Sequence, residues 1–332
     1  MADDIATATA DIDRFADLTQ RLRDEIGRLI VGHADVVDGV LMCALAGGHV
    51  LLEGVPGLGK TLLVRTLAGA LQLDFSRIQF TPDLQPKDII GGIQIARGDD
   101  GHEMRVFEPG PIFANIVLAD EVNRATPRTQ SALLEVMAER SVTVGRTTHE
   151  LQAPFFVLAT QNPLEQDGTY PLPEAQLDRF QFKLNVSFPS LDDLDEIMNR
   201  TISGSTPEVK PVMTRDELLE LRGVARRVEI APNLQRWALK MLQRTHPQID
   251  GAPEPVKRYV REGASPRGGQ AILSAARVHA LMRGEPAVAA DDILACLTPS
   301  LRHRIILNFE GEAEGVDRDE VLQAIIDATP RA

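Results

Sequence analysis

The sequence has few cysteines, no long apolar run and a deficit of positive charge. Its two cysteines, Cys43 and Cys296, are far apart and outside any C-x-x-C spacing, so neither a disulfide framework nor a zinc ribbon is indicated. A reducing, cytoplasmic location is therefore expected. No apolar run approaches the roughly 18 residues of a membrane span, and the acidic start of the chain lacks the basic and apolar parts of a targeting signal. We therefore expect no membrane span.

Charge and length narrow the classes of function. Asp plus Glu (48) outnumber Lys plus Arg (35), and the formal net charge is -13. A sequence-independent nucleic-acid binder is therefore not expected, although an acidic total does not exclude a local basic pore. With 332 residues and 43% hydrophobic content the chain can bury more than one core, so two domains are expected.

The pattern of apolar residues changes near residue 185. Before this point, helical patterns alternate with short apolar runs at residues 50–52, 116–119 and 155–159. Such runs are typical of parallel strands buried on both faces. Afterwards helical patterns follow one another, at residues 214–227, 232–246, 266–282, 291–306 and 316–328. The fold class is therefore α/β with a parallel sheet, followed by a smaller all-helical domain. Ser190 with its acidic next turn starts a helix well, which places the domains at residues 1–189 and 190–332.

The strongest motif lies between the first apolar run and a helical pattern. It reads Gly-Val-Pro-Gly-Leu-Gly-Lys-Thr and matches the P-loop pattern in full. In a P-loop, backbone N–H groups and a helix N-terminus face the phosphates, the lysine neutralises them, and the hydroxyl ligates Mg²⁺. A glycine-rich turn without a ligand is the alternative, and the Lys-Thr ending argues against it. The predicted ATP-binding residues are Gly54, Val55, Pro56, Gly57, Leu58, Gly59, Lys60, Thr61 and Leu62, and Thr61 is also a magnesium ligand.

Two adjacent carboxylates, Asp120 and Glu121, follow the second apolar run. One carboxylate can hold Mg²⁺ through its water shell while its neighbour orients or deprotonates the attacking water. We assign Asp120 to magnesium and Glu121 to water. An apolar run that ends in Asp-Glu is by itself often only a strand entering a solvated turn. A complete P-loop earlier in the same domain favours the catalytic interpretation.

Asn162 follows the third apolar run, in the string Thr-Gln-Asn-Pro. Because parallel strands that end together bring the following residues close, we expect Asn162 near the γ-phosphate. A neutral amide there can hold the water or sense the phosphate. An Asn-Pro turn is the alternative, and the position of Asn162 relative to the other two motifs favours the catalytic role.

Six further blocks occur in one order along the chain. They are QFTPDL (79–84), GPIFAN (110–115), LADEVNR (118–124), TQSALLE (129–135), ATQNP (159–163) and GTYPLPEAQLDRF (168–180). Together with the P-loop they resemble the MoxR family of AAA+ ATPases, over about residues 30–307. The resemblance implies an αβα nucleotide-binding domain, a helical lid domain, hydrolysis of ATP with Mg²⁺, and a homo-oligomeric ring that is typically a hexamer.

The resemblance also implies an arginine finger. Arg179, in the last of these blocks, matches the position that reaches the γ-phosphate bound by a neighbouring subunit. Arg124 and Arg128 are competitors for this role. An ion pair of Arg179 with Asp178 or Glu174 at the subunit surface is the structural alternative.

Arg267 lies in the string Ser-Pro-Arg-Gly-Gly, which resembles the sensor-2 element of the family's lid. A serine N-cap followed by proline begins a helix well and places Arg267 in the first turn. Because an arginine there opposes the helix dipole, a phosphate ligand explains it better than helix stability does. We therefore include Arg267 among the nucleotide-binding residues, with a plain surface arginine as the alternative.

Two insertions of the family have counterparts in this sequence. Strand patterns at residues 91–96 and 103–107 flank a Gly/Asp turn, and a second hairpin pattern covers residues 141–151. The resemblance places such hairpins at the ring pore, and ordinary edge structure is an equal alternative. His33 stands where the family commonly has glutamine. It could alter the contacts that residues 30–32 make with adenine, but we favour a solvated side chain.

Three functions from different classes remain. The first is a chaperone-like motor that couples ATP hydrolysis to remodelling of partner proteins or to insertion of a metal cofactor into them. For this motor the resemblance implies a protein with a von Willebrand factor A (VWA) domain as adaptor or client. The second is a DNA-handling AAA+ ATPase, which the acidic charge and the absence of a helix-turn-helix, OB or zinc module disfavour. The third is a nucleotide-gated scaffold, which the intact pair of carboxylates disfavours because a pure switch can lose the one that activates water.

Overall fold

A computed structural model describes residues 2–55, 57–97, 103–162, 169–202 and 208–331. In this part of the chain the strands are β1 (Val50–Glu53), β2 (Phe75–Gln79), β3 (Gly91–Arg97), β4 (Glu103–Pro109), β5 (Ile116–Asp120), β6 (Ser141–Val144), β7 (Thr147–Glu150), β8 (Phe156–Gln161), β9 (Phe182–Asn185), β10 (Val260–Glu262) and β11 (Ile306–Leu307). The helices are α1 (Ala2–Gly27), α2 (Ala34–Ala46), α3 (Lys60–Ala70), α4 (Pro86–Ile90), α5 (Pro127–Glu139), α6 (Glu174–Leu177), α7 (Leu191–Ile202), α8 (Arg215–Arg227), α9 (Pro232–Gln243), α10 (Glu254–Tyr259), α11 (Pro266–Met282), α12 (Ala290–Leu301), α13 (Phe309–Ala313) and α14 (Arg318–Asp327).

The central sheet has five parallel strands in the order β2-β5-β8-β1-β9. The sheet followed by a helical region confirms the predicted fold class. The second region is not all-helical, however, because the short strands β10 and β11 pair within it. The strands of the central sheet are short apolar runs because both faces of the sheet are covered. Successive residues of a strand point to opposite faces, so Leu51 belongs to one buried cluster and Leu52 to the other. The carboxyl ends of the strands lie at one edge of the sheet, where Gln79 is paired with Asp120.

The larger of the two buried clusters joins the sheet to the helical region. It contains Phe15 of α1 and Leu41 of α2, and it continues through Leu281 of α11 and Leu297 of α12. The smaller cluster covers the other face of the sheet with residues of α4 and α5. The helices after β9 therefore pack on the same core as α1, α2 and α3. The boundary between residues 189 and 190 stays a prediction, and Ser190 caps α7 by accepting from the N–H of Asp193 at 3.2 Å.

Two buried arginines fix the helical region against the sheet region. Arg222 on α8 donates from Nε and Nη2 to the Ala44 carbonyl at 2.9 and 2.6 Å. Burial lowers the pKa of Arg222 to about 10, but a cation near the C-terminus of α2 is favourable for the helix dipole. Arg304, which follows α12, donates to the Asp178 carboxylate at 2.8 Å and to the carbonyls of Asp178 and Phe180.

Both hairpins that the sequence predicts are present. β3 pairs with β4, and β6 pairs with β7, in antiparallel register. The two hairpins touch each other through the Phe107 and His149 rings, which stack with their centroids 3.9 Å apart. The predicted turn of the first hairpin lies outside the described residues. Separately, none of the helices in the described ranges has the length and apolar character needed to cross a membrane.

His49 is a buried histidine between α5 and the sheet. Its Nδ1 accepts from the Val157 N–H at 3.0 Å, and its Nε2 lies 3.2 Å from the Met137 carbonyl oxygen. Since an amide N–H donates and a carbonyl accepts, both bonds require a neutral ring with its proton on Nε2. Burial lowers the pKa of His49 to about 4. Burial also lowers the pKa of His303.

We predict that the free energy of unfolding falls as the pH is lowered from about 6.5 towards about 4. The unfolded chain takes up a proton at His49 in this range, whereas the folded protein excludes it. For His49 the pKa difference corresponds to on the order of 3 kcal/mol. Urea unfolding across this pH range measures the effect. His49→Gln, whose amide can replace both hydrogen bonds, should make the pH dependence shallower, and an unchanged dependence would contradict the role of His49.

Candidate nucleotide site

The P-loop connects β1 to α3, which is the strand-turn-helix context that its mechanism requires. Gly57 and Gly59 have φ angles of 87° and 73°, in the left-handed region that favours glycine. Gly54 is restricted by space instead, since a Cβ there would lie 2.6 Å from the Val186 carbonyl oxygen. The first N–H groups of α3 are directed back towards the loop. The loop and helix therefore form a concave surface of backbone donors.

A cleft of about 390 Å³ lies between the P-loop and the carboxyl ends of β5 and β8. Among the predicted residues that line it are five polar ones from three separate motifs: Lys60, Thr61, Asp120, Glu121 and Asn162. Other residues of the lining are Gly54, Gly57, Gly59, Leu62, Arg77, Thr160 and Gln161. Three predicted residues of the P-loop remain. Leu58 lines a neighbouring cavity, Val55 is half-buried within the loop, and Pro56 lies outside the described residues. A phosphate chain on the P-loop would therefore lie beside both carboxylates.

Lys60 is half-buried, and its Nζ donates to the Gly54 carbonyl. Burial lowers the pKa of Lys60, while Asp120, Glu121 and Glu53 act in the opposite direction. A partly desolvated ammonium group gains from an anion that can replace a neutral carbonyl as its partner. Lys60 is therefore placed and charged to receive a phosphate oxygen.

Both carboxylate oxygens of Asp120 have hydrogen-bond donors. Oδ1 accepts from the Thr160 hydroxyl at 2.6 Å. Oδ2 accepts from Nε and Nη2 of Arg77 at 3.1 and 2.7 Å. Sequence reasoning missed both of these partners. Thr160 belongs to the string Thr-Gln-Asn-Pro, but Arg77 belongs to β2, and only the strand order places β2 beside β5.

Glu121 is held by both its backbone and its carboxylate. Its φ and ψ angles of 56° and 51° are uncommon for a residue other than glycine, and its N–H donates to the Thr160 hydroxyl oxygen at 2.9 Å. Its Oε2 accepts from Gln79 Nε2 and from Arg124 Nη1, both at 2.8 Å. Sequence reasoning also missed Gln79 as a partner. An uncommon backbone conformation that several contacts hold in place is typical of functional positions.

Asn162 is buried, follows β8 and lines the same cleft. Its backbone carbonyl accepts from Asn123 Nδ2 at 3.4 Å. The alternative interpretation, an Asn-Pro turn, involves Pro163, which lies outside the described residues. The structure therefore brings Asn162 to the end of the sheet where the two carboxylates lie.

The donor atoms of the cleft fit Mg²⁺. Asp120 and Thr61 carry oxygen atoms that could hold Mg²⁺ directly or through water, and Mg²⁺ in nucleotide sites typically takes one or two protein ligands together with phosphates and water. In the ranges that the structure describes, no cluster of three or more His, Cys, Asp or Glu side chains could hold a metal ion. A site that depends on the nucleotide for further ligands is consistent with both observations.

Arg179 lies in a second cleft, of about 400 Å³, which Arg267 and Arg304 also line. Its Nη1 donates to the Leu134 carbonyl, and its Nε is buried with no hydrogen-bond partner among the described residues. Asp178, which the sequence offers as its ion-pair partner, binds Arg304 instead. Glu174, the other candidate, pairs with a different arginine as well.

Arg267 lies in the first turn of α11, as the sequence predicts. Ser265 is the N-cap, and its Oγ accepts from the Arg267 N–H at 3.2 Å while donating to the Asp178 carboxylate. The Arg267 guanidinium lies 3.7 Å from Asp178 and is 55% exposed. Among the described residues, neither Arg267 nor Arg179 lines the P-loop cleft. The two arginines therefore share a site away from the P-loop of their own chain.

A mainly apolar cavity of about 350 Å³ adjoins the P-loop cleft. It is lined by Leu29, Ile30, Val31, His33, Leu58, Phe188, Pro189, Leu194, Ile197, Met198 and Arg200, and it shares Gly57, Gly59 and Leu62 with the cleft. His33 Nε2 is buried and has no hydrogen-bond partner in the described part of the chain. His33 is half-buried and lines this cavity, so the interpretation as a solvated side chain does not hold for its Nε2.

Comparisons with known proteins agree with this geometry. Residues 49–182 match the ATPase family associated with various cellular activities (AAA), and residues 255–325 match the AAA lid domain. The first match spans β1 to β9 and includes the P-loop, both carboxylates and Asn162. The second covers α11, α12 and most of α14.

Relatives match nearly the whole chain. Chaperone MoxR1 of Mycobacterium tuberculosis is 43% identical over 302 residues, which cover 91% of this chain and 79% of that protein. Protein MoxR of Paracoccus denitrificans is 32% identical over 338 residues, which cover 95% and 96%. A crystal structure of a protein from Cytophaga hutchinsonii has a TM-score of 0.92 at 37% identity and covers 99% of both chains. The chain therefore belongs to the MoxR family of AAA ATPases.

Proposed function

We propose that this ATPase hydrolyses ATP with Mg²⁺ in the P-loop cleft and uses the turnover for chaperone-like remodelling of partner proteins or for insertion of a metal cofactor into them. The observation that carries the proposal is the convergence of Lys60, Thr61, Asp120, Glu121 and Asn162 on one cleft of about 390 Å³. Membership of the AAA family makes ATP the nucleotide and hydrolysis the reaction.

Each polar residue of the cleft has a role that its chemistry permits. Backbone N–H groups of the loop bind the phosphates, and Lys60 exchanges its carbonyl partner for a β- or γ-phosphate oxygen. Thr61 and Asp120 would hold Mg²⁺, which neutralises charge on the phosphates when bound. Glu121 orients the attacking water and accepts its proton. The Asn162 amide holds the water or senses the γ-phosphate.

The apolar cavity supports a position for the adenine base. A nucleotide can extend from the cleft into the cavity, because the two share Gly57, Gly59 and Leu62. Apolar walls with a small number of polar groups are typical of sites for planar ligands. The unpartnered Nε2 of His33 is a polar group that can bond to the edge of the base.

The position of Arg179 and Arg267 supports a site completed between subunits. The two arginines line one cleft, which is separate from the P-loop cleft of their own chain. AAA proteins assemble as oligomers, and in a hexameric ring this cleft would meet the phosphates bound by the next subunit. Arg124 is the weaker candidate for the finger, because it binds Glu121 in its own cleft. Arg128 is exposed on α5.

Exposed apolar side chains on the first hairpin support contact with a partner protein. Four of them are between 45% and 68% exposed: Ile93, Ile95, Met104 and Val106. Ile93 is paired with Phe107 and Val106 with Gln94, so apolar side chains lie on both faces of the hairpin. Exposed apolar surface of this kind marks interaction sites. This favours a client-binding role for the hairpin over ordinary edge structure.

Two substitutions should separate nucleotide binding from hydrolysis. Lys60→Ala should lose nucleotide affinity, because the phosphates lose their cation. Glu121→Gln should keep ATP binding and lose turnover by roughly 10²-fold or more, the range for general acid–base groups. Calorimetric titration of ATP and steady-state phosphate release measure the two effects. Glu220→Gln, which changes an exposed acid on α8, is the control and should match the wild type. Normal turnover in Glu121→Gln would contradict the role of Glu121 in hydrolysis.

An arginine finger that acts between subunits predicts complementation. Arg179→Ala should bind ATP and hydrolyse it roughly 10³-fold more slowly, as is found when arginine fingers are lost. Mixed with Lys60→Ala subunits it should recover part of the activity, because its intact cleft can then meet a neighbour that carries Arg179. Phosphate release by mixtures of known composition measures this recovery.

The control for this experiment is a demonstration by native mass spectrometry that mixed rings form. If mixed rings form and no ratio of subunits recovers activity, Arg179 does not act on a neighbour. The same mixing experiment with Arg128→Ala would then test the competing arginine.

A VWA-domain protein is the partner that the family resemblance favours, as an adaptor or a client. Its binding should depend on nucleotide, because a nucleotide held between Lys60 in one subunit and Arg179 in the next would set the shape of the ring. Titration calorimetry of such a partner against Glu121→Gln should give the highest affinity with ATP, and linkage requires the partner to raise ATP affinity by the same factor. Equal affinities with ATP, with ADP and without nucleotide would show that nucleotide does not control docking.

A further inference from the structure

Arg77 is a positively charged residue of the P-loop cleft that has no role in the function proposed above. It lines the cleft from β2, and its guanidinium donates twice to Asp120 Oδ2, from Nε at 3.1 Å and from Nη2 at 2.7 Å. The other oxygen, Oδ1, accepts from Thr160 at 2.6 Å. The carboxylate that would hold the metal ion is therefore already paired with a cation.

Arg77 also determines the orientation of Gln79. Its Nη2 donates to Gln79 Oε1 at 2.6 Å, and Gln79 Nε2 donates to Glu121 Oε2 at 2.8 Å. A guanidinium group has no acceptor and an ionised carboxylate has no donor, so only one orientation of the amide satisfies both neighbours. The carboxylates of Asp120 and Glu121 are thus connected through two side chains of β2.

The register of the sheet creates this connection. Gln79 is paired with Asp120, and Arg77 with Leu118. Residues two apart on a strand point to the same face, so Arg77 and Gln79 lie side by side next to the end of β5. The planar fork of an arginine can contact two acceptors in fixed directions, which the single ammonium of a lysine does less well. The side chain of Arg77 is 47% exposed, so it has room to move away.

We propose that Arg77 is a positioning residue: it is the counter-cation of Asp120 in the nucleotide-free protein and leaves this carboxylate when metal and nucleotide arrive together. The proposal rests on the function proposed above. A guanidinium group and a divalent cation repel each other at contact distance, so they compete for Asp120 Oδ2. The nucleotide-free cleft therefore disfavours the metal ion alone, whereas the phosphates supply the negative charge that offsets this repulsion.

The departure of Arg77 has a consequence for the second carboxylate. Without its partner, the Gln79 amide is no longer fixed towards Glu121, so one of the two hydrogen bonds that hold Glu121 Oε2 is loosened, while the bond from Arg124 remains. Metal arrival at Asp120 and readiness of Glu121 are then coupled, and by linkage anything that holds Arg77 on Asp120 weakens metal binding.

Binding of Mn²⁺ to the nucleotide-free protein tests the proposal, with Mn²⁺ as the paramagnetic substitute for Mg²⁺ and free Mn²⁺ measured by electron paramagnetic resonance. Arg77→Met, which removes the charge, should bind Mn²⁺ at least about tenfold more tightly than the wild type. Arg77→Lys, which keeps the charge, should stay within about twofold of the wild type. Arg14→Met, which breaks an ion pair of similar exposure on α1, is the matched control and should also behave as the wild type.

The gain in Arg77→Met should disappear in the double variant Arg77→Met/Asp120→Asn, because Asp120 is the ligand that Arg77 covers. Equal affinities of wild type and Arg77→Met would overturn the proposal, and so would a gain that persists in the double variant or that appears in Arg14→Met. If Arg77→Met does not fold, Arg77→Gln provides the same comparison.

Titration of the wild type with ATP and Mg²⁺ keeps this test separate from that of the proposed function. A wild-type protein that does not bind ATP contradicts the proposed function. A wild-type protein that binds ATP, together with an Arg77→Met variant of unchanged Mn²⁺ affinity, contradicts only the role of Arg77.

Discussion

The parallel pairing of β2, β5 and β8 determines where this ATPase can carry out its chemistry. Because the strands run in one direction, the residues that follow them meet at one edge of the sheet. Asp120 and Glu121 come from the end of β5, Asn162 from the end of β8, and Gln79 from the end of β2. The P-loop follows β1 at the same edge. A change of register between β2 and β5 would separate Arg77 from Asp120 and Gln79 from Glu121.

Charge pairing in the cleft depends on this arrangement. In the structure Asp120 is paired with Arg77, Glu121 with Arg124, and Glu53 with Lys183 at 2.8 Å. Each carboxylate that would act on ATP therefore already has a partner. Under the proposed mechanism nucleotide binding exchanges some of these partners, so its affinity would measure the difference between two paired states rather than the attraction of phosphate for a bare cation. This exchange links binding to movement of the catalytic side chains.

Much of the fold was predictable from local sequence. The three apolar runs became β1, β5 and β8, and the helical pattern at residues 266–282 became α11 with the same bounds. The P-loop and the Asp-Glu pair were predictable because their chemistry needs a fixed spacing. β2 was not predicted, since Phe-Ser-Arg-Ile-Gln is an edge strand with only Ile78 fully buried. Strands of that kind carry little hydrophobic signal.

Other parts of the site depend on tertiary structure that spacing does not reveal. Arg77 and Gln79 act through strand order, which the sequence leaves open. The partial burial of His33 depends on how α2 begins next to the P-loop, which the residues around it in the sequence do not reveal. Arg179 and Arg267 were each predicted to contact phosphate, but only the packing of α11 against Asp178 brings them into one cleft. That shared position is the observation that points to a neighbouring subunit.

The most direct test of the account is a structure of Glu121→Gln with ATP and Mg²⁺, determined by cryo-electron microscopy. The account predicts the triphosphate on the P-loop with Lys60 at its β- and γ-phosphates, the metal ion between Thr61 and Asp120, and Arg77 displaced from Asp120. Arg179 of the adjacent subunit should approach the γ-phosphate. A nucleotide bound outside the P-loop cleft, or a metal ion that does not contact Asp120 directly or through water, would contradict it.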